Sequence, residues 1–204
     1  MKKHIILVGS PGAGKGTQAV HLADFLNVPH ISTGDIFRGH RENNTDLGQR
    51  VQALMDAGEL VPDDLLFDII KARLLEKDAE TGWILDGFPR TIPQAEYFKT
   101  LLVEIGQKLD CVVELRVSDN IAKERMAKRA MEAVPPRPDD ANPDVCANRV
   151  EVYWRQTFPL LSFYAQQNQL ITVSGDLSID DVTATLKTIL KEKNLIFGMP
   201  NEDR

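Results

Sequence analysis

Gly9-Ser10-Pro11-Gly12-Ala13-Gly14-Lys15-Gly16-Thr17 is the stretch from which the fold is read. It follows an apolar, β-branched run, Ile5-Ile6-Leu7-Val8, and precedes a stretch whose Val20, Leu22, Ala23 and Leu26 recur at helical spacing. Gly9, four residues and then Gly14-Lys15 is phosphate-loop spacing. The glycines let consecutive backbone N–H groups turn inward around phosphate oxygens, and the following helix adds the positive end of its dipole. Lys15 can reach the β and γ phosphates. Gly16 stands where a general phosphate loop has Ser or Thr, and Thr17 comes one later, so direct magnesium ligation at that first position is not expected. A Gly-rich turn with a solvated lysine is the plainer alternative, against which the strand–loop–helix context argues. A dinucleotide site fits worse, because the second strand candidate ends in Ile31-Ser32-Thr33 rather than in an acidic residue.

Working outward, strand candidates fall at 4–9, 29–32, 82–86, 110–117 and 170–174. Helical spacing marks 14–26, 63–77, 91–105, 118–131, 144–167 and 178–193. Strands alternating with helices argue for an α/β fold with a mostly parallel sheet covered on both faces, which binds ligands outside the carboxyl ends of its strands. Two stretches break the alternation. Residues 33–61 hold two helical segments in succession. Residues 130–143 carry four prolines and three acidic residues and suit neither helix nor core strand; a plain surface loop is as good a reading of that pattern. The tail 194–204 yields no functional reading.

Composition narrows the classes. Apolar residues are 43%, which with glycine is ordinary for a globular chain of 204 residues. A net charge of −6 argues against wrapping nucleic acid, whose binding rests largely on phosphate contacts. Cys111 and Cys146 form no C-x-x-C pair, so neither a disulfide framework nor a structural zinc site is expected. No apolar run approaches the ~18 residues of a membrane span. Lys2-Lys3 followed by apolar residues imitates a signal peptide, but the run stops at Gly9, as a buried first strand would. Asn43-Asn44-Thr45 reads as a chance sequon.

Two further strand ends carry chemistry. In Ile31-Ser32-Thr33-Gly34-Asp35 the hydroxyls suit an N-cap and Asp35 a first helical turn, with Arg38 in reach of an anion there. In Trp83-Ile84-Leu85-Asp86-Gly87-Phe88-Pro89-Arg90 an apolar strand runs into an acidic residue. An Asp at that place in phosphate-loop proteins sits beside the loop and holds magnesium or its waters. A tight turn with a capping Asp is the structural alternative.

Taken together, these motifs resemble the adenylate kinases, within the nucleoside monophosphate kinases. G-x-P-G-A-G-K-G-T-Q at 9–18, I-S-T-G-D at 31–35, L-D-G-F-P-R-T at 85–91 and Arg137-Pro138-Asp139-Asp140 followed by Arg149 carry the resemblance, in order, from about residue 4 to about residue 190. Gly16 after the lysine is that family's own form. The resemblance implies a three-layer P-loop fold with a central five-stranded parallel sheet: a core of 1–31, 62–129 and 144–204, a helical monophosphate-binding insertion at 32–61 and a short lid at 130–143. It implies reversible, Mg2+-dependent transfer of the γ-phosphate of ATP to AMP, giving two ADP, in a cytoplasmic monomer that binds neither nucleic acid nor membrane. Gly12, Ala13, Gly14, Lys15, Gly16 and Thr17 would hold ATP's phosphates, Arg125 would stack on its adenine, Arg129 would meet its phosphates and Leu177 would line the base through backbone. Thr33 and Gln94 would contact the adenine of AMP, with Gly34 and the backbone of Glu59, Leu60 and Val61 lining it. Arg38 and Arg90 would take its phosphate, and Gly87 and Phe88 would continue the site. Arg137 and Arg149 would swing in from the lid and the helix after it, and Asp86 would hold Mg2+ through water. Only seven residues separate Arg129 from Arg137, too few for an inserted hairpin or a four-ligand zinc site, so the lid resembles the short type and no zinc is expected.

Three alternatives remain to be separated. A pyrimidine monophosphate kinase tends to carry Ala at the Thr33 position and Asn at that of Thr91. A sensor or scaffold without catalysis would be told apart by turnover. A GTPase switch needs an N/T-K-x-D motif, which is not found.

Overall fold

The computed structural model describes residues 3–132 and 142–193. Its elements run β1 (Lys3–Val8), α1 (Lys15–Leu26), β2 (His30–Ser32), α2 (Thr33–Glu42), α3 (Asp46–Ala57), α4 (Asp63–Leu74), β3 (Gly82–Asp86), α5 (Ile92–Glu104), β4 (Cys111–Arg116), α6 (Asp119–Glu132), α7 (Pro143–Val152), α8 (Pro159–Gln166), β5 (Leu170–Ser174) and α9 (Ile179–Glu192). The five strands form one parallel sheet in the order β2-β3-β1-β4-β5. All five strand candidates are therefore present, each within a residue or two of its expected bounds.

Side chains alternate across a strand, and both faces of this sheet are covered. Ile6 and Val8 join Trp83, Leu85 and Val112 in one core cluster, against α4, α5 and α8. Ile5 and Leu7 join Ile84, Val113 and Leu115 in the other, against α1 and α9. Burial on both sides is why β1 is apolar at successive positions rather than alternating. The register sets Leu7 opposite Asp86 and Ser32 opposite Asp86. The carboxyl ends of β1, β2 and β3 thus converge beside the loop that starts at Gly9.

Helix starts follow the sequence chemistry. Ser32, Thr45, Thr91 and Ser178 each accept a backbone N–H from the first turn of the helix that follows. One element departs from expectation. Residues 144–167 are not one uniform α-helix: α7 passes through a π turn at Tyr153–Thr157 into α8. Pro159 has no N–H to donate and its ring crowds the carbonyl four residues back, so the chain widens and Phe158 N–H bonds the Tyr153 carbonyl at 2.8 Å. No described helix is long and apolar enough to cross a membrane.

Candidate functional site

The loop 9–14 is shaped by left-handed glycines. Gly12 has φ +85° and Gly14 φ +88°. A Cβ on Gly12 would run into the Ala122 carbonyl of α6 as well as demand a strained backbone, so α6 closes against the loop only because Gly12 has no side chain. Lys15, the first residue of α1, folds over the loop: Nζ donates to the carbonyls of Gly9 at 2.7 Å and Ser10 at 3.1 Å. Burial pushes its ammonium down to about 8, with Asp86 opposing and Arg90, Arg149 and Arg129 reinforcing the shift.

Two clefts open on either side of this loop. The first is lined by Gly12, Ala13, Gly14, Thr17, Arg125, Arg129, Gly175 and Leu177, with Gln18, Lys128, Glu132, Ile179 and Val182. Arg125 Nη2 donates to the Leu177 carbonyl at 3.3 Å, so Leu177 takes part through its backbone while its side chain stays half-exposed. The second cleft is lined by Thr33, Gly34, Arg38, Glu59, Leu60, Val61, Gly87, Arg90, Gln94 and Arg149, with apolar walls from Phe37, Met55 and Leu66. The two meet in a basin where Lys15, Gly16, Thr17, Arg38, Asp86, Arg90, Arg129 and Arg149 come together. Five cations and two carboxylates, Asp35 and Asp86, line it. Burial and the neighbouring Arg149 hold the Arg90 guanidinium below its ordinary range.

Individual partners explain how the side chains are held. Arg90 Nε donates to the Gly87 carbonyl at 2.8 Å. Gly87 has φ +89°, and a Cβ there would strike the Thr33 hydroxyl. Thr33 is buried and its hydroxyl lies 3.4 Å from the Asp86 carbonyl. Arg38 bonds Asp35 one helical turn before it. Gln94 is 1% exposed; its Oε1 accepts the Arg90 N–H at 2.7 Å and its Nε2 donates to Asp63 Oδ1 at 2.7 Å.

Phe88 behaves differently from the other residues of its motif. Its ring is 1% exposed and packs edge-on against Phe98, and Phe88 is not among the residues lining either cleft. The Phe88–Pro89 peptide is cis. Arg137 and the lid residues 133–141 lie outside the described residues, as does the tail 194–204.

Several contributors have no local sequence signature. His30 on β2 sets Nε2 4.0 Å from Asp86 Oδ2. Asn148 on α7 donates to the Ala57 carbonyl at 2.8 Å and to Glu59 Oε1 at 3.0 Å, which closes the second cleft against α7. Gln18 donates to the Ile179 carbonyl at 3.0 Å and accepts the Thr183 hydroxyl at 2.8 Å, tying α1 to α9 behind the first cleft. Each joins segments far apart in the chain, a relation that spacing and periodicity do not report.

The described residues hold no group of three or more His, Cys, Asp or Glu that could enclose a metal ion. The basin does offer the Asp86 carboxylate, 3.9 Å from where a Cβ of Gly16 would stand, and the neighbouring Thr17. So sparse a set of hard oxygen donors fits Mg2+, which keeps several waters and binds through one or two carboxylates plus phosphate oxygens.

Comparison with known proteins points the same way. Residues 7–169 match the family model described as adenylate kinase. A protein named adenylate kinase from Cyanothece sp. is 50% identical over 188 residues, covering 92% of this chain and 95% of its own. Adenylate kinase 1 of Synechocystis sp. is 44% identical over 191 residues, covering 94% and 98%. Adenylate kinase of Methanosarcina mazei is 43% identical over 211 residues, covering 92% and 98%.

Proposed function

This chain belongs to the adenylate kinase family, and from that premise we propose how its own residues carry the reversible transfer of the γ-phosphoryl group of ATP to AMP, giving two ADP. The carrying observation is the meeting of two clefts at one cation-rich basin. Two nucleotides lying base-outward in the clefts bring their phosphates together there.

ATP takes the first cleft. Its adenine lies between Arg125 and the backbone at Leu177, and its phosphates accept from the N–H groups of Gly12, Ala13, Gly14, Gly16 and Thr17 at the N-terminus of α1. Lys15 exchanges its bonds to the Gly9 and Ser10 carbonyls for phosphate oxygens. AMP takes the second cleft, with Thr33, Gln94, Gly34 and the backbone of Glu59, Leu60 and Val61 around its base. Gly87 and Phe88 border it through backbone, and Arg38 and Arg90 hold its phosphate. Arg129 and Arg149, joined by Arg137, surround the group in flight. Phosphoryl transfer needs little covalent help from a protein; positioning and charge stabilisation supply most of the rate. Asp86 would hold Mg2+ through water. The ion, when bound, neutralises charge building on the phosphate oxygens.

In this reading residues 32–61 are the AMP-binding domain and 130–143 a short lid on a core of 1–31, 62–129 and 144–204. Closure of both excludes water, which would otherwise hydrolyse ATP, and completes the arginine set. The chain acts as a cytoplasmic monomer on free ATP, AMP and ADP, without zinc, nucleic acid or membrane, in the balancing of adenine nucleotides.

The test is nucleoside diphosphate formation from Mg-ATP with AMP, GMP, UMP or CMP supplied separately. Turnover concentrated on AMP supports the reading. Turnover mainly with UMP or CMP would keep the mechanism and overturn the assignment of the base site. ATP binding without turnover would overturn catalysis.

A further inference from the structure

The half-buried Asp63, at the start of α4, touches neither cleft directly. It does hold the side chain that walls the second cleft. A glutamine amide has one carbonyl oxygen with two lone pairs and one nitrogen with two N–H groups. Its two ends exchange places if the amide turns over. For Gln94 the turn is blocked by its partners. The Arg90 N–H, 2.7 Å away, can only donate, so it demands the oxygen. The Asp63 carboxylate, also 2.7 Å away, can only accept, so it demands the nitrogen. Turning the amide would set oxygen against carboxylate and N–H against N–H at a site that is 1% exposed, where water cannot repair either loss.

We propose that Asp63 is a positioning residue for base selection: it locks Gln94 so that one fixed order of acceptor and donor faces the monophosphate. This rests on the reading of Gln94 as a residue that contacts the AMP base. After serving Arg90 and Asp63, the amide has one lone pair on Oε1 and one N–H on Nε2 to offer. A 6-aminopurine matches that pair, with its amino group donating to Oε1 and its unprotonated ring nitrogen accepting from Nε2. A 6-oxopurine presents the reverse, an acceptor oxygen and a ring N–H. It is served only by an amide turned over, which Asp63 opposes. The carboxylate therefore rejects the wrong base without meeting it.

The experiment compares AMP with inosine monophosphate, which differs from AMP along that one edge, as the phosphoryl acceptor of the full chain. In Asp63→Ala the preference for AMP over inosine monophosphate in kcat/KM falls by about tenfold or more, the scale of one good bidentate base contact, while KM for ATP stays at the parent value. Asp63→Asn, whose carbonyl oxygen still accepts the Gln94 N–H, restores most of the preference. Asp64→Ala, which removes a charge from the same helical turn, leaves the preference alone and controls for the helix end. If Asp63→Ala fails to fold, Asp63→Ser, suited to a first helical turn but too short for Gln94, gives the same readout. An unchanged preference in Asp63→Ala or Asp63→Ser, with Gln94→Leu collapsing it, overturns the role of Asp63 and leaves the base site standing. An unchanged KM for AMP and unchanged preference in Gln94→Leu overturns the base reading, and the proposal with it.

Discussion

Replacing Arg90 with Met separates the chemistry of the basin from its folding. Methionine keeps the unbranched apolar stem and the backbone N–H that bonds Gln94, and removes the guanidinium. In the reading above that guanidinium grips the AMP phosphate at the point of transfer. An arginine on a transferring phosphoryl group is worth about 10³–10⁵ in rate, which at about 1.4 kcal/mol per tenfold is about 4–7 kcal/mol of transition-state stabilisation. The folded, nucleotide-free protein should barely notice. The variant loses one hydrogen bond, Arg90 Nε to the Gly87 carbonyl, at a net cost of about 1 kcal/mol. Against that it removes a cation that burial, Arg149 and Arg38 all disfavour, with Asp86 as the counterweight. The two effects oppose each other, so Tm should move by no more than about 2–4 °C, the response of a chain this size to about 1 kcal/mol. The assay is kcat for ADP formation at saturating Mg-ATP and AMP, beside thermal unfolding by circular dichroism without nucleotide. A kcat within tenfold of the parent would remove Arg90 from the catalytic set. A fall in Tm well beyond that range would show that Arg90 is there for the fold.

Three other outcomes are expected. Gly12→Ala forces a left-handed backbone on a residue with a Cβ and drives that Cβ at the Ala122 carbonyl; it should lose about 1–2 kcal/mol or more of stability from the backbone alone and bind ATP measurably more weakly by calorimetry, and unchanged stability and affinity would contradict the assigned loop geometry. Burial disfavours charge on Lys15 and sets its ammonium at about 8, so in the nucleotide-free protein the charge is lost as pH rises through that value; kcat/KM for ATP, which reports the free enzyme, should fall there, while kcat holds to higher pH because bound phosphates favour the ammonium, and two superimposable profiles would refute this. Burial raises the Cys111 thiol to about 12, so iodoacetamide at mildly alkaline pH should modify the half-buried Cys146 and spare Cys111 until the protein unfolds, as read by peptide mass spectrometry.

The alternation of strands and helices was legible in the chain because it is written in local periodicity. A strand buried on both faces is apolar at successive positions, as Ile5–Val8 of β1 is, and a capped helix such as Thr33–Glu42 announces itself by Ser32 and Asp35. The π turn at Tyr153–Thr157 is not legible in the helical spacing of 144–167, even with Pro159 inside it. A proline says that one hydrogen bond must go, not whether the helix bends, stops or widens. Phe88 sat inside a motif whose neighbours line a cleft, yet its ring turned to Phe98; which of two adjacent residues faces the core is settled by the strand end and turn that carry them.

The phosphate loop, the strand-end Asp86 and the family to which both belong are written in residues adjacent in the chain, so they can be read without coordinates. How two clefts share one basin depends on the packing of the sheet. The parallel register puts Leu7 and Ser32 opposite Asp86, and from there Lys15, Arg38, Arg90, Arg129 and Arg149 converge from five separate elements or loops. Packing also joins Asp63 to Gln94, Asn148 to Glu59 and Gln18 to Thr183. Such pairs are 31 to 165 residues apart, and their partnership is set by packing of the elements that bear them, which no periodicity within a single element records.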